Sequence, residues 1–312
     1  MVKVGFIKMG NIGTSIVIDL LFDEIAQRED SETRTFSSGA KMSKKEASQT
    51  EELKGWNPDL VIMISPNAMA PGPVAAREIW KDVPTIVVAD GPTKKEGRQK
   101  LEDAGFGYIV LTVDPLIGAK REYLDTVEMV NFNADVTKTL AVTGAIRLVQ
   151  ETIDGVIEEL KAGKTPTMPH ILAKPEKCVE YGGFANPYAK AKALAALHML
   201  NKVAEINTPA CFMMKDLVDI ASTAAAGHEV ARIAAILADE AREIEKSNDR
   251  VSRKPHAKDG KILSKTQRME RSYPKPDCTR SHNKIKNKPI QSTPSYLILF
   301  FIYPNTAQLC YS

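Results

Sequence analysis

Residues able to bind an anionic or carbonyl-bearing ligand stand near the start of the chain. The apolar run VKVGFIK is followed by the turn Gly10-Asn11-Ile12-Gly13, and Thr14 then opens a segment with apolar residues at helical spacing as far as residue 28. A strand, a glycine turn and a helix leave free backbone N–H groups at the helix N-terminus. We therefore predict that this turn faces a ligand, and that a side chain at Gly13 would fill space which the ligand needs.

The turn differs from the fingerprint of nicotinamide-dinucleotide sites. That fingerprint has three glycines, G-x-G-x-x-G, and an acidic residue after the second strand. Here the middle glycine is missing, and residues 37–41, which follow a second predicted strand at 33–36, contain no carboxylate. A tight turn that only closes a strand–helix unit is the alternative.

Three later loops are also rich in residues that bind ligands, and each follows a predicted buried strand, at residues 60–64, 85–89 or 108–111. In open α/β sheets ligands bind beyond the carboxyl ends of the strands, so these loops and the glycine turn are expected at one edge. Any single loop of this kind could hold Gly and Pro only to end a strand. Four of them together favour a pocket. The candidates in the three loops are Ser65, Pro66, Asn67, Gly72, Asp90, Asp114, Gly118 and Arg121.

The alternation of strands and helices predicts an α/β fold, a Rossmann-like parallel sheet flanked by helices. We assign residues 1–125 to an α/β cofactor-binding domain. Residues 126–265 are predicted to form an appended helical bundle with a small β element, which provides substrate and oligomer contacts. Residues 266–312 lack periodicity and are predicted to be a disordered or non-native tail.

Three long helices are expected in the second part, at residues 127–162, 186–204 and 216–246. Gly144 and Gly155 are possible bends in the first, and Asn186 is the expected N-cap of the second, with a proline in its first turn. Residues 170–173 and 178–181 are predicted to form a hairpin. Small residues along the third helix fit either oligomer contacts or packing within the chain.

Composition argues against several classes of protein. The formal net charge of +3 is too small to indicate nucleic-acid binding. The four cysteines stand far apart without a C-x-x-C pair, which favours a reducing cytoplasm over a disulfide framework or a zinc site. No apolar stretch approaches the roughly 18 residues that span a bilayer. We therefore expect a cytoplasmic protein with no metal, no nucleic acid and no membrane partner.

Several segments in combination are more specific than any single motif. In chain order they are KMGNIGTS, SPNAMAPGP, DGP, DPLIGAKREYLDTVEM, NADV, FANPYAKAKALAAL, EAREIEKSND and KPHAKDGKILSK. Together they resemble the deazaflavin-dependent methylenetetrahydromethanopterin dehydrogenases of methanogenic archaea. The resemblance covers residues 2–265.

The resemblance implies a cytoplasmic oxidoreductase of one-carbon metabolism and methanogenesis. Its reaction would be reversible hydride transfer from 5,10-methylenetetrahydromethanopterin to oxidised coenzyme F420, an 8-hydroxy-5-deazaflavin that acts as a diffusible co-substrate. The products would be 5,10-methenyltetrahydromethanopterin and the reduced coenzyme. The resemblance also implies a homo-oligomer. The alternatives are an NAD(P)-dependent α/β reductase and a non-catalytic α/β protein that binds a small molecule.

A direct hydride transfer needs no acid or base residue, so we assign electrostatic roles only. Carboxylates near the substrate would favour the cationic product, and Asp90 and Asp114 are the candidates. Backbone N–H groups of the Gly10 and Gly72 loops would stabilise charge on the reduced ring. Lys8, Lys120 and Arg121 would meet the phosphate and glutamyl tail of the coenzyme.

The residues assigned to the coenzyme are Lys8, Gly10, Asn11, Ile12, Gly13, Thr14, Ser65, Pro66, Asn67, Gly72, Gly118 and Arg121. Asn186, Tyr188, Lys190 and His256 are the candidates for substrate binding. A helix cap alone would also explain Asn186.

Overall fold

The computed structural model describes residues 1–115 and 125–267, all within one compact unit, Met1–Ser272. The candidates Gly118, Lys120 and Arg121 and the predicted tail beyond residue 267 lie outside the described residues.

Six parallel strands form one sheet in the order β2-β1-β3-β4-β5-β6. The strands are β1 (Val2–Lys8), β2 (Ser31–Ser37), β3 (Leu60–Ser65), β4 (Thr85–Asp90), β5 (Gly107–Leu111) and β6 (His170–Ala173). All residues of β3, β4 and β5 are buried, as expected for strands covered on both faces. The predicted α/β fold is confirmed.

Nine helices are described, and six of them begin with a capping side chain or a proline in the first turn. They are α1 (Gly13–Val17), α2 (Lys44–Gln49), α3 (Pro71–Ile79), α4 (Lys95–Asp103), α5 (Thr126–Thr143), α6 (Ala145–Lys161), α7 (Pro175–Glu180), α8 (Pro187–Phe212) and α9 (Leu217–Ser247). The side chains of Asp125, Asn186 and Asp216 cap α5, α8 and α9. The predicted cap at Asn186 is thus confirmed.

A positive-φ glycine separates α5 from α6. Gly144 has φ 104°, and a Cβ there would overlap the backbone of Gly182 and Cys178. The helix predicted at 127–162 is therefore broken at one of its two expected bends, because only glycine fits this position. Gly155 lies within α6, with open space beside it, and makes no bend.

Two local predictions are wrong. Residues 178–180 belong to α7, which begins at Pro175, and β6 pairs in parallel with β5, so no hairpin forms at 170–181. The segment up to residue 28 is not one helix, because α1 ends at Val17 and only a short 3-10 turn, Asp19–Leu21, follows. The small β element consists of two antiparallel bridges, Arg253 with Lys265 and His256 with Ile262.

The helices α8 and α9 pack on each other through small residues. Buried alanines on α8 (189, 193 and 196) and on α9 (224, 231, 234 and 238) allow close approach. A Cβ at Gly227 of α9 would overlap the side chain of Asn207 on α8. The small residues of the third predicted helix therefore serve packing within the chain.

Candidate functional site

A cavity of about 280 Å³ opens at the carboxyl edge of the sheet. Loops after β2, β3 and β4 form one wall, and the C-terminal part of α8 forms the other. The lining residues are Met42, Pro66, Asn67, Ala70, Asp90, Pro92, Ala204, Asn207, Thr208, Cys211 and Phe212. The structure thus brings three predicted residues, Pro66, Asn67 and Asp90, to one cavity, where apolar side chains and few polar groups suit a flat organic ring.

Hydrogen bonds fix the loop that carries Pro66 and Asn67. The Asn67 carboxamide oxygen accepts from the backbone of Met69 at 2.9 Å, and Thr93 Oγ1 accepts from the backbone of Ala68 at 3.2 Å. The buried guanidinium of Arg77 donates to the carbonyl of Ala68 at 2.6 Å. Burial lowers the pKa of Arg77 to about 10, so the group still carries its charge at neutral pH. This wall is therefore largely pre-formed.

Asp90 places a carboxylate in the cavity wall. It is the last residue of β4, is 1% exposed, and accepts a hydrogen bond from the backbone N–H of Gly91 through Oδ1. A carboxylate in such an enclosed, mostly apolar setting interacts with a nearby cation more strongly than it would in water. The structure therefore places Asp90 in the cavity wall, and its electrostatic role stays a prediction.

Asp114 does not line the cavity, which corrects its predicted place beside the substrate. Its side chain is fully buried, and its two oxygens accept from the backbone N–H groups of Gly13 at 2.6 Å and Thr14 at 2.8 Å. Burial raises the pKa of Asp114 to about 6, against hydrogen bonds from Thr14 and Gly13 that lower it. Asp114 is a positioning residue that holds the glycine turn to the end of β5.

The N–H groups of Gly13 and Thr14 are therefore already occupied, which corrects their predicted contact with a coenzyme. A Cβ at Gly13 would meet Val136 at 2.8 Å, Asp114 at 2.9 Å and Leu140 at 3.1 Å. The space beside Gly13 is filled by the protein core and by the carboxylate of Asp114. The expected ligand space at this residue is absent.

The first residues of the turn lie between two cavities. Gly10 has φ 82°, and a Cβ there would meet Met42 Sδ at 2.5 Å and Pro66 Cδ at 2.8 Å, both in residues that line the first cavity. Asn11 lines a second, more open cavity of about 460 Å³. The other lining residues of this second cavity are Ile16, Met129, Val130, Asn133, Ala134 and Thr137.

Three further coenzyme candidates are buried supports of the wall. Ile12 and Ser65 are fully buried, and a Cβ at Gly72 would overlap the backbone of Met42 and Ser43. None of the three lines either of these two cavities. They let the loops approach one another closely.

Lys8 is the last residue of β1 and forms an ion pair with Asp19. Its Nζ lies 2.9 Å from Asp19 Oδ1, and Asp19 Oδ2 accepts from Thr35 Oγ1 at 3.1 Å. An anionic group that binds Lys8 must therefore compete with Asp19.

The substrate candidates on α8 lie at its first turn, whereas residues 204–212 line the cavity. About 14 helical residues, or roughly 20 Å along the axis, separate Lys190 from Ala204, the nearest residues of the two regions. The Asn186 side chain caps the helix, and Tyr188 and Lys190 are exposed. None of the three lines the first cavity, so their predicted contact with the substrate stays a prediction.

The structure contradicts the predicted contact between His256 and the substrate, because the His256 side chain is enclosed by protein. Its Nε2 lies 2.8 Å from Asp154 Oδ2, and its Nδ1 contacts Glu24. Burial alone would lower the pKa of His256, but hydrogen bonds to Asp154 and Glu24 raise it to about 9. The residue ties the small β element to residues 22–30 and has no exposed side-chain surface for a ligand.

The sequence predictions missed the wall that α8 contributes. Asn207, Cys211 and Phe212 lie beyond residue 204, where that helix was expected to end. The available signal was a polar Asn207 within an otherwise apolar helical stripe. The helix continues to Phe212 although Pro209 lies inside it, and a proline usually ends a helix.

The described residues contain neither a candidate metal-binding cluster nor a helix suited to span a membrane. Within residues 1–115 and 125–267, no group of three or more His, Cys, Asp or Glu side chains is arranged to hold a metal ion. No helix in this part of the chain is both long and apolar enough to cross a membrane.

Residues 2–273 match the family model described as methylene-5,6,7,8-tetrahydromethanopterin dehydrogenase. A relative from Methanosarcina mazei, named F420-dependent methylenetetrahydromethanopterin dehydrogenase, is 62% identical over 89% of this chain and 99% of its own length. One of the same name from Archaeoglobus fulgidus is 58% identical over 86% of this chain and 98% of its own length.

A solved structure is similar to this chain with a TM-score of 0.83 and 41% identity, covering 87% of this chain and 99% of the other. It is described as an F420-dependent methylene-tetrahydromethanopterin dehydrogenase in complex with methylene-tetrahydromethanopterin and coenzyme F420. These comparisons confirm the resemblance found in the sequence segments.

Proposed function

This chain belongs to the methylene-5,6,7,8-tetrahydromethanopterin dehydrogenase family, and from that premise we propose that it transfers hydride reversibly between 5,10-methylenetetrahydromethanopterin and coenzyme F420 at the carboxyl edge of its sheet. The observation that carries the proposal is the similarity, at 41% identity, to a structure described in complex with both carriers. The cavity between the β3 and β4 loops and α8 supports this place for the reaction.

The residues of the cavity suit the coenzyme. The walls are mainly apolar, as a tricyclic deazaflavin ring requires. The buried amide of Asn207, which has no hydrogen-bond partner among the described residues, adds polar groups able to meet the polar edge of a ring. The site thus combines a surface for stacking with a few polar contacts.

Bound oxidised F420 supplies the carbon that accepts the hydride, C5, and the methylene substrate becomes the methenyl cation. The task of the protein is to hold the two carriers in contact and to exclude water. Met42, Pro66 and Phe212 provide apolar surface for this purpose. The Asp90 carboxylate is in place to stabilise positive charge that develops on the substrate.

Asp114 contributes by holding the loops in place. Its hydrogen bonds to Gly13 and Thr14 fix the turn whose first residue, Gly10, lies against Met42 and Pro66. The side chains of Met42 and Pro66 are thereby held in a fixed position at the cavity wall. Such pre-organisation lowers the cost of bringing two carriers together.

The function is tested by mixing the full chain with oxidised F420 and methylenetetrahydromethanopterin and following the loss of deazaflavin absorbance. We expect rapid loss that requires both carriers. Reduction of NADP in place of F420 would contradict the proposal and favour an NAD(P)-dependent reductase. Binding of F420 without turnover would favour a protein that only binds the small molecule.

We also propose that the chain works as a homo-oligomer in the cytoplasm. Apolar side chains are exposed at the turn between α8 and α9, namely Phe212, Met213, Leu217 and Val218, and exposed apolar patches favour protein contacts. Light scattering tests this proposal. A mass equal to one 34.3 kDa chain would contradict it.

A further inference from the structure

Asn207 has a buried side-chain amide without hydrogen bonds. The residue is 1% exposed, and neither Oδ1 nor Nδ2 meets a partner in the part of the chain that the structure describes. A buried polar group left in this condition costs about 1–3 kcal/mol. Such groups are rare in folded proteins, and each one needs a physical explanation.

The amide is held between α8 and α9 by the absence of a side chain at Gly227. A Cβ at Gly227 would overlap Asn207 Oδ1 and lie 2.9 Å from Nδ2. The same asparagine lines the first cavity, together with Ala204 and Thr208 of the same helix. The side chain of Asn207 therefore lies at the border between the helix interface and the cavity.

We propose that Asn207 determines specificity in the cavity: when a carrier binds, its amide turns inward and pairs with a ring edge that has an N–H beside a C=O. A carboxamide offers one acceptor and two donor hydrogens side by side, which matches such an edge. The pyrimidinedione ring of a deazaflavin and the aminopyrimidinone ring of a pterin both have this edge. The inference rests on the proposed function, and the test separates the two carriers.

Sites that hydrogen-bond a polar group of a ligand discriminate strongly, because an unsuitable ligand leaves buried groups unpaired. In the free protein the Asn207 amide has no hydrogen-bond partner among the described residues, so the folded state already bears the free-energy cost of an unpaired buried amide. A bound ring that pairs with both amide atoms removes that cost. Binding is then favoured for a cyclic amide over an apolar ring of the same shape.

The test compares Asn207→Leu and Asn207→Ala in the full chain with the control Asn201→Leu. The control makes the same change at a half-buried position of α8 that does not line the cavity. Three quantities are measured: the Kd of oxidised F420 by titration, the KM of methylenetetrahydromethanopterin at saturating F420, and the midpoint of urea unfolding without ligand.

We expect Asn207→Leu to weaken one carrier by about tenfold or more, since a lost hydrogen-bonding pair is worth this much. The carrier that weakens is the one that the amide contacts. The unfolding midpoint should be unchanged or higher, because the leucine removes an unpaired buried amide. A residue that only packs α8 against α9 would instead lower the midpoint and leave both affinities unchanged.

Affinities for both carriers within about twofold of the wild type in Asn207→Leu and Asn207→Ala overturn the inference and leave the proposed function standing. Absence of turnover and of F420 binding in the wild type overturns the proposed function, and the inference with it. Equal weakening in Asn201→Leu also overturns the assignment to Asn207.

Discussion

At the scale of single residues, the two predicted carboxylates divide into two roles. Asp90 lines the cavity, whereas Asp114 is buried and both of its carboxylate oxygens accept hydrogen bonds from backbone N–H groups. The sequence placed both correctly at the carboxyl ends of β4 and β5 but could not tell them apart. Asp114 is withheld from the cavity because its oxygens bind the backbone N–H groups of Gly13 and Thr14, about 100 residues earlier in the chain, and sequence patterns do not reveal such distant contacts.

Asp90→Asn should lower kcat for F420 reduction by about 10- to 100-fold, because the amide no longer stabilises the developing cation. The control is Asp82→Asn, an exposed carboxylate before the opposite end of the same strand. Initial rates at saturating concentrations of both carriers check the prediction. A kcat equal to that of the control would remove Asp90 from the electrostatic role.

At the scale of elements, local sequence signals predicted the sheet and the helix caps correctly. Where such signals gave a wrong prediction, contacts with residues distant in sequence determined the structure. The segment after α1 has apolar residues at helical spacing, yet its backbone and side chains pair with the small β element: Glu29 N–H donates to Lys258, and Glu24 contacts His256. These partners lie more than 200 residues away along the chain. Tertiary contacts of this kind override helix propensity, and no periodicity reveals them.

Gly13→Val should destabilise the protein by about 3 kcal/mol, because the new side chain overlaps Val136, Leu140 and the carboxylate of Asp114. The sequence alone predicted a loss of coenzyme affinity with the fold intact. Urea unfolding of the free protein distinguishes the two outcomes.

The control for that variant is Gly155→Val on α6, where a Cβ meets open space. It should change the free energy of unfolding by less than about 1 kcal/mol. An unfolding curve of Gly13→Val equal to the wild type, combined with weaker F420 binding, would restore the original interpretation.

At the scale of the whole molecule, the cavity joins parts that are distant in sequence. The loops near Pro66 and Asp90 were predictable, because the carboxyl edge of a parallel sheet collects ligand-binding residues. The contribution of α8 to the cavity wall was not predictable from the sequence. The point at which this 26-residue helix ends depends on its packing against α9.

The buried His256 should make stability depend on pH. Its pKa is raised from 6.5 to about 9, so the charged histidine stabilises the folded state fully below pH 6.5 and loses this contribution as pH rises through 9. The loss is at most about 3 kcal/mol. Urea unfolding at pH 6.5 and pH 9.5 measures it.

His256→Gln should unfold more easily at pH 6.5 and show a flatter pH dependence over this interval. His198→Gln, an exposed histidine that pairs with Glu176, is the control and should keep the wild-type dependence. An unchanged slope in His256→Gln would show that other groups cause the dependence.

A chain that ends at residue 273, the limit of the family match, should keep full turnover with both carriers. The sequence alone suggested ending it after residue 265. That shorter chain keeps the backbone bonds between Lys265 and Arg253 but loses Gln267, whose carbonyl accepts a hydrogen bond from the Arg253 guanidinium and so supports the small β element. Turnover and unfolding of both truncated chains test this difference. A large loss of kcat in the longer one would assign a role to the residues removed.

Deuterium labelling distinguishes direct hydride transfer between the two carriers from exchange with solvent. The full chain is mixed in ordinary water with oxidised F420 and substrate that carries two deuterium atoms at its methylene carbon. We expect one deuterium at C5 of the reduced coenzyme. Reduced coenzyme that carries only hydrogen from water at C5 would show that the hydride does not pass directly from the substrate.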